Sequence, residues 1–60
     1  MKPDWKDAPE WANWLAMDEN GAWCWYELEP RYDGEMWLCS GKWKYACSCQ
    51  IAGESKEARP

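Results

Sequence analysis

Four cysteines carry the most distinctive chemistry in this chain of 60 residues: Cys24, Cys39, Cys47 and Cys49. Four thiolates can hold a structural zinc ion, and zinc binding would help to stabilise so small a domain. The spacing contains no CxxC knuckle, however, and a free cysteine often acts as a small buried hydrophobe. We therefore expect buried thiols and no cofactor. A zinc site built from all four cysteines is the alternative, and disulfides are the least favoured state.

Enzymatic chemistry is poorly represented. The chain has no histidine, which removes His-based triads, the commonest general base and His zinc ligands. No Gly-rich loop that could cradle a phosphate is present, and the carboxylates sit in turns and termini, where capping and solvation explain them. We predict that the protein is not an enzyme.

Aromatic residues are unusually abundant, with seven Trp, three Tyr and no Phe. A domain of this size can hardly bury seven indoles, so some should lie in an interface with a protein partner or a second copy. The candidate positions for protein binding are Trp14, Trp23, Trp25 and Trp37. Binding of nucleic acid is disfavoured by the net charge of −4, and its one weak hint is the run Lys42, Trp43 and Lys44.

The sequence also suggests where the protein acts. The first residues are polar and lack the apolar stretch of a secretory signal. No run approaches the roughly 20 apolar residues that a membrane span needs. We expect a cytoplasmic protein with reduced cysteines and no membrane partner.

The elements that must position these residues are mainly strands. Residues 18–21, Asp-Glu-Asn-Gly, predict a hairpin turn, and the strand after it, 22–29, is apolar on both faces, as in a covered central strand. The strand predicted over 42–51 is half-buried, with one face in contact with water and an apolar face formed by Trp43, Tyr45, Cys47, Cys49 and Ile51. Short strands near 13–18 and 35–39 complete an antiparallel meander of three to four strands.

The residues near the N-terminus predict a turn, but their pattern does not distinguish helix from strand. Asp7 as a cap, Pro9 in a first turn and Glu10 three residues after the cap predict a short helical turn over 8–12 that leads into a strand, although helix and strand remain open over 8–17. We expect a flexible segment over 1–6 in which Trp5 is an anchor, one β-rich domain over 7–52, and a charged, disordered tail over 53–60.

One resemblance covers residues 8–43. The run Ala8–Trp23 is followed by Trp25-Tyr26-Glu27 and Pro30, then by Gly34–Trp37 and the pair Ser40-Gly41. This pattern resembles small tryptophan-rich proteins of tailed bacteriophages and prophages, which are mostly of unknown function. The resemblance implies a phage or prophage origin but no activity. Together with the aromatic surface, the acidic charge and the absent catalytic chemistry, it leads us to expect an accessory protein of the host cytoplasm that binds a host or phage factor or itself. The alternative is a zinc-stabilised structural or nucleic-acid accessory domain.

Overall fold

The computed structural model describes residues 2–34, 37–48, 53 and 55–60. This part of the chain holds one 3-10 turn, Trp5–Asp7, followed by the strands β1 (Trp14–Met17), β2 (Ala22–Tyr26), β3 (Arg31–Tyr32), β4 (Trp37–Leu38), β5 (Trp43–Ser48) and β6 (Ser55–Ala58). An antiparallel sheet has the order β5-β2-β1-β6, and β3 pairs with β4 in a separate hairpin. The prediction of a mainly β fold with a short N-terminal turn is confirmed. In the described residues, no helix has the length and apolar character needed to cross a membrane.

The turn between β1 and β2 forms as its residue types predict. The Gly21 N–H donates to the Asp18 carbonyl and the Asp18 N–H donates to the Ala22 carbonyl, both at 2.9 Å. Gly21 has a φ of 90°, a left-handed conformation that a residue with a Cβ adopts only at a cost. The turn sets the register of the hairpin, in which Leu15 lies opposite Trp25.

The strand β2 is central and covered on both sides, as its two apolar faces predict. We name the first side of the sheet the N-terminal face, because the N-terminal segment covers it through Trp5, Ala8, Trp11 and Ala12. The sheet residues beneath this cover are Leu15, Met17, Trp23 and Trp25. These side chains form the larger of the two apolar clusters.

The opposite side is the hairpin face, because β4 and the residue after it cover it. Ala16, Cys24 and Tyr26 are buried here, and Trp14, Trp37 and Cys39 pack against them. Pro30, at the entry to the β3–β4 hairpin, is fully buried. The two faces of one sheet are therefore closed by two different segments of the chain.

The N-terminal turn lies earlier in the chain than predicted. The Asp4 carboxylate accepts from the Lys6 N–H at 3.0 Å and caps the 3-10 turn, so Asp4 rather than Asp7 is the capping residue. The predicted helical turn over 8–12 is reduced to one bond, from the Ala12 N–H to the Pro9 carbonyl at 3.0 Å. Trp5 is the predicted anchor of this segment: its ring lies 5.0 Å from the Trp25 ring, measured between centroids. The described part of the segment that was predicted to be flexible, residues 2–6, is therefore held against the sheet by Trp5.

The predicted disordered tail over 53–60 is wrong for its central part. Ser55–Ala58 form β6, which pairs antiparallel with β1. Backbone pairing and long-range side-chain contacts hold this polar strand, and neither leaves an apolar periodicity in the sequence. The Arg59 guanidinium, for example, donates to the Ala12 carbonyl at 2.7 Å. The limits of 7–52 predicted for the folded domain are therefore too narrow.

The chain does not follow a simple meander. The strand expected over 35–39 is reduced to β4 in the described residues, and it pairs with β3 rather than with β2 or β5. Strand β5 then returns to pair with the free side of β2. Pro30 separates the long apolar strand from β3 and lets the chain leave the sheet. Residues 35 and 36, and residues 49–51 of the strand predicted over 42–51, lie outside the described residues.

A β-bulge corrects the predicted faces of β5. Trp23 lies opposite Cys47 and Cys24 lies opposite Tyr45, which leaves Ala46 as the extra residue. Residues directly opposite each other share a face, so Tyr45 lies on the hairpin face and Cys47 on the N-terminal face. Strict alternation had placed both on one face.

Candidate functional site

The four tryptophans predicted to bind a partner divide into two pairs. Trp23 and Trp25 are only 6% and 4% exposed, so they are core residues and not part of an accessible surface. They face the N-terminal segment of the same chain, and this segment, rather than a protein partner, covers them. Trp14 and Trp37 are half-buried on the hairpin face.

Trp37 fixes the β3–β4 hairpin to the sheet. Its indole Nε1–H donates to the Met17 carbonyl at 2.8 Å, and its ring lies 5.2 Å from the Tyr32 ring between centroids. The Lys56 ammonium lies 5.5 Å from the centroid of the Trp14 ring and 5.7 Å from that of Trp37. Much of the surface of Trp37 is therefore used inside the molecule.

Among the described residues, the large apolar side chains that are exposed differ from the predicted set: Leu28, Leu38, Trp43 and Tyr45. Trp43 and Tyr45 are 61% and 53% exposed, although both belong to the apolar face that was expected to be the covered side of this strand. The hairpin packs against the β1–β2 part of the sheet and leaves this part of β5 uncovered. Only Trp43 belonged to a predicted site, through the run with Lys42 and Lys44.

Strand β5 also presents an open backbone edge, because it is the last strand on its side of the described sheet. The Glu27 N–H donates to the Lys42 carbonyl at 2.9 Å, and Tyr26 lies opposite Trp43. Bonded and non-bonded pairs alternate along an antiparallel ladder. The N–H and C=O groups of Trp43 and Tyr45 therefore point away from β2. We name Lys42, Trp43, Lys44 and Tyr45 the edge surface.

A cavity of about 310 Å³ lies next to the edge surface. Sheet and hairpin contribute to its lining, which includes three aromatic residues (Tyr26, Trp37 and Trp43), two cysteines (Cys24 and Cys39) and Asp18. Asp18 directly follows β1, and its carboxylate accepts a hydrogen bond from the Trp37 N–H at 3.4 Å. Sequence reasoning missed this site because its walls come from four separate strands or strand ends.

The structure does not bring together the three predicted cysteine ligands that it describes, Cys24, Cys39 and Cys47. Cys24 and Cys39 lie on the hairpin face, whereas Cys47 packs against the N-terminal face. The sheet separates these positions, and no group of three potential metal ligands occurs within the described residues. Cys49 lies outside them. Cys24 is buried, as expected for a structural thiol, and Cys39 is half-buried.

Two groups that line the cavity, the Cys24 thiol and the Tyr26 hydroxyl, are held in their neutral forms. Burial raises the pKa of the Cys24 thiol, and the negative charge of Asp18 adds to this, while a hydrogen bond from Tyr26 partly offsets it. Burial is also the main cause that raises the pKa of the Tyr26 hydroxyl, with further contributions from Cys24 and Asp18. Cys24 is therefore not suited to thiolate chemistry at neutral pH.

Comparison with known proteins adds no relationship to this picture. No protein-family model, no curated protein and no solved structure matches the chain.

Proposed function

We propose that the protein is a non-enzymatic binding module whose edge strand β5 pairs with an extended segment of a partner protein. The observation that carries this proposal is the exposure of Trp43 and Tyr45, at 61% and 53%, on a strand with an open backbone edge. Addition of a strand to an exposed sheet edge is a general mode of peptide recognition. The backbone groups would supply hydrogen bonds, and the two aromatic side chains would supply buried area.

The two aromatic residues are suited to dominate such an interface. Each aromatic side chain can bury roughly 150–250 Å², and tryptophan and tyrosine are enriched among the residues that carry most binding energy. Exposed sheet edges are usually protected against pairing. Lys42 and Lys44 are residues of the kind that protects an edge, but the two large exposed aromatic side chains between and after them are unusual for a surface with no partner.

Local charge favours an acidic partner segment. Lys42 and Lys44 are exposed and have no ion pair with any other described residue. The chain as a whole has a net charge of −4, so these two neighbouring lysines are a local exception. An acidic segment would be attracted to the edge and would be repelled elsewhere.

We place this activity in the class that the sequence resemblance implies, a phage-type accessory protein acting in the host cytoplasm. The lack of histidine supports a role without catalysis. The partner would then be a host or phage factor.

The test begins with capture of host proteins on the immobilised full chain, followed by purification of the captured protein. The dissociation constant is then measured by calorimetry for wild type, for a double variant (Trp43→Ser with Tyr45→Ser) and for Leu28→Ser. Leu28 is a matched control, since it is exposed and apolar but lies outside β5. We expect the double variant to bind about thirtyfold more weakly or worse and the control to stay within about twofold.

Amide hydrogen exchange in the complex tests the pairing itself. The Trp43 and Tyr45 amides should exchange more slowly once a partner strand is bound, whereas the Lys44 amide, which faces β2, should change little. Equal binding by all variants, or no protection at Trp43 and Tyr45, would contradict strand addition.

Two further measurements separate the other occupants. Light scattering that shows a dimer, with the same two amides protected, would assign the edge to a second copy instead. A gel shift of a labelled single-stranded oligonucleotide at low salt, abolished by the double variant, would assign it to nucleic acid.

A further inference from the structure

The cavity between the sheet and the β3–β4 hairpin has walls suited to one kind of ligand. Tyr26, Trp37 and Trp43 contribute aromatic surface from β2, β4 and β5, and Asp18 adds a carboxylate from the end of β1. Its volume of about 310 Å³ is sufficient for a small organic molecule. The cavity lies mostly on residues that the edge surface does not use.

The electrostatics of the cavity favour a cation. Asp18 is the one formally charged residue among the described residues that line it. The charge of Asp18 reaches into the cavity, since it contributes to the raised pKa of both the Cys24 thiol and the Tyr26 hydroxyl. These two groups stay neutral, so the carboxylate has no competing charge among the described lining residues.

Aromatic faces attract cations, and this molecule already makes such contacts. The Lys56 ammonium lies 5.7 Å from the centroid of the Trp37 ring, on a side chain that does not line the cavity. A lysine ammonium is strongly hydrated, whereas an alkylated ammonium has apolar methyl groups that can contact aromatic walls. Several aromatic side chains together are the general means by which proteins recognise quaternary ammonium groups.

We propose that this cavity binds an alkylated ammonium group, with Tyr26, Trp37 and Trp43 around the cation and Asp18 as its counter-charge. The group could belong to a free small molecule or to a methylated lysine side chain, since both present the same chemistry. The site goes beyond the proposed function, because its occupation requires no partner strand on β5.

The test uses the full chain with indole nitrogens labelled by ¹⁵N. Choline, its neutral isostere 3,3-dimethylbutan-1-ol and trimethyl-lysine are titrated separately. We expect choline to shift the Trp37 and Trp43 indole signals in a saturable manner and to bind at least about tenfold more tightly than the isostere. Tighter binding of trimethyl-lysine than of choline would assign the site to a methylated side chain, and the reverse would assign it to a small molecule.

Two variants test the residues that the proposal names. Asp18→Asn keeps an oxygen for the Trp37 N–H but removes the charge, and it should weaken choline binding about tenfold. Glu10→Gln removes one exposed carboxylate that does not line the cavity, so it should leave the affinity within about twofold. Trp43→Leu, at a position 61% exposed, should preserve the fold and weaken choline binding.

Three results would overturn the proposal. Equal binding of choline and the neutral isostere would show that charge is not recognised. Absence of saturable shifts in a wild-type sample with a folded spectrum would show that the cavity is not a site. Equal losses in Asp18→Asn and Glu10→Gln would show that only net charge matters. A single variant, Tyr45→Ser, separates this proposal from the proposed function: Tyr45 does not line the cavity, so weaker partner binding with unchanged choline binding would concern the edge surface alone.

Discussion

The two faces of the sheet are built from the same strands but are closed in different ways. On the N-terminal face, Trp23 and Trp25 are covered by a segment that is itself tied to the C-terminal strand, through Trp5 to Glu57 and through Arg59 to Ala12. On the hairpin face, β4 and the residue after it, Cys39, provide the cover, and a cavity of about 310 Å³ remains. The N-terminal face therefore has the larger apolar cluster, whereas the hairpin face leaves space beside its buried residues, and we expect the first to contribute more to stability.

The largest expected difference between the faces comes from shortening buried side chains. Leu15 is fully buried on the N-terminal face, and Leu15→Ala should lower the free energy of unfolding by about 3 kcal/mol. Cys24→Ala, on the opposite side of the sheet, should cost only about 1 kcal/mol, because it removes a small group beside an existing cavity. Urea unfolding followed by tryptophan fluorescence measures both values. Equal losses would show that the two faces contribute alike.

A smaller effect tests how the hairpin is fixed. Trp37→Phe keeps an aromatic ring but removes the indole N–H that donates to the Met17 carbonyl at 2.8 Å. We expect a loss of about 1–2 kcal/mol in the free energy of unfolding. The matched control is Trp43→Phe, at an exposed position, which should change the value by less than about 0.5 kcal/mol. If both variants unfold at the wild-type urea concentration, the bond does not hold the hairpin.

The smallest expected effect concerns the tie that closes the N-terminal face. The Glu57 carboxylate accepts from the Lys2 ammonium at 2.8 Å and from the Trp5 indole N–H at 2.7 Å, and these contacts hold its pKa below the usual range. A carboxyl that is more acidic in the folded state stabilises the protein above its unfolded pKa, and this contribution is lost as pH falls through the folded pKa.

The free energy of unfolding should therefore fall as the pH is lowered from about 5, with Glu57 contributing less than about 1 kcal/mol of the change. Glu57→Gln should lack this part of the pH dependence when unfolding is measured between pH 7 and pH 3. Glu10→Gln, at an exposed position, is the control and should follow the wild-type curve. Identical curves for the two variants would mean that the tie has no energetic role.

The parts of the fold that could be predicted from the sequence depend on local patterns. Asp18–Gly21 specified a turn, and the apolar residues of β2 specified a strand covered on both faces. The missed features arise from contacts between distant residues. Strand β6 has no apolar periodicity and is defined by pairing with β1, and the bulge at Ala46, which moved Tyr45 away from the face of Cys47, depends on the register with β2.

The candidate sites show the same division. The abundance of tryptophan indicated that some indoles would be accessible. It could not show that Trp43 is exposed whereas Trp23 and Trp25 are buried, because this depends on which segment covers each face of the sheet. The cavity was not foreseen, because Asp18, Tyr26, Trp37 and Trp43 meet through the sheet and not through their spacing in the chain.

The pairing of β6 with β1 has a consequence for the order of folding. Leu15 lies opposite Trp25 through a short turn, but it also lies opposite Glu57, more than forty residues later in the chain. Closing the longer loop costs more chain entropy, so the β1–β2 hairpin should form first and β6 should dock late. Until that docking occurs, Trp5 lacks its bond to Glu57, and the tryptophans of the N-terminal face are exposed to other chains. We therefore expect the docking of β6 to be the step that protects the folding molecule from aggregation.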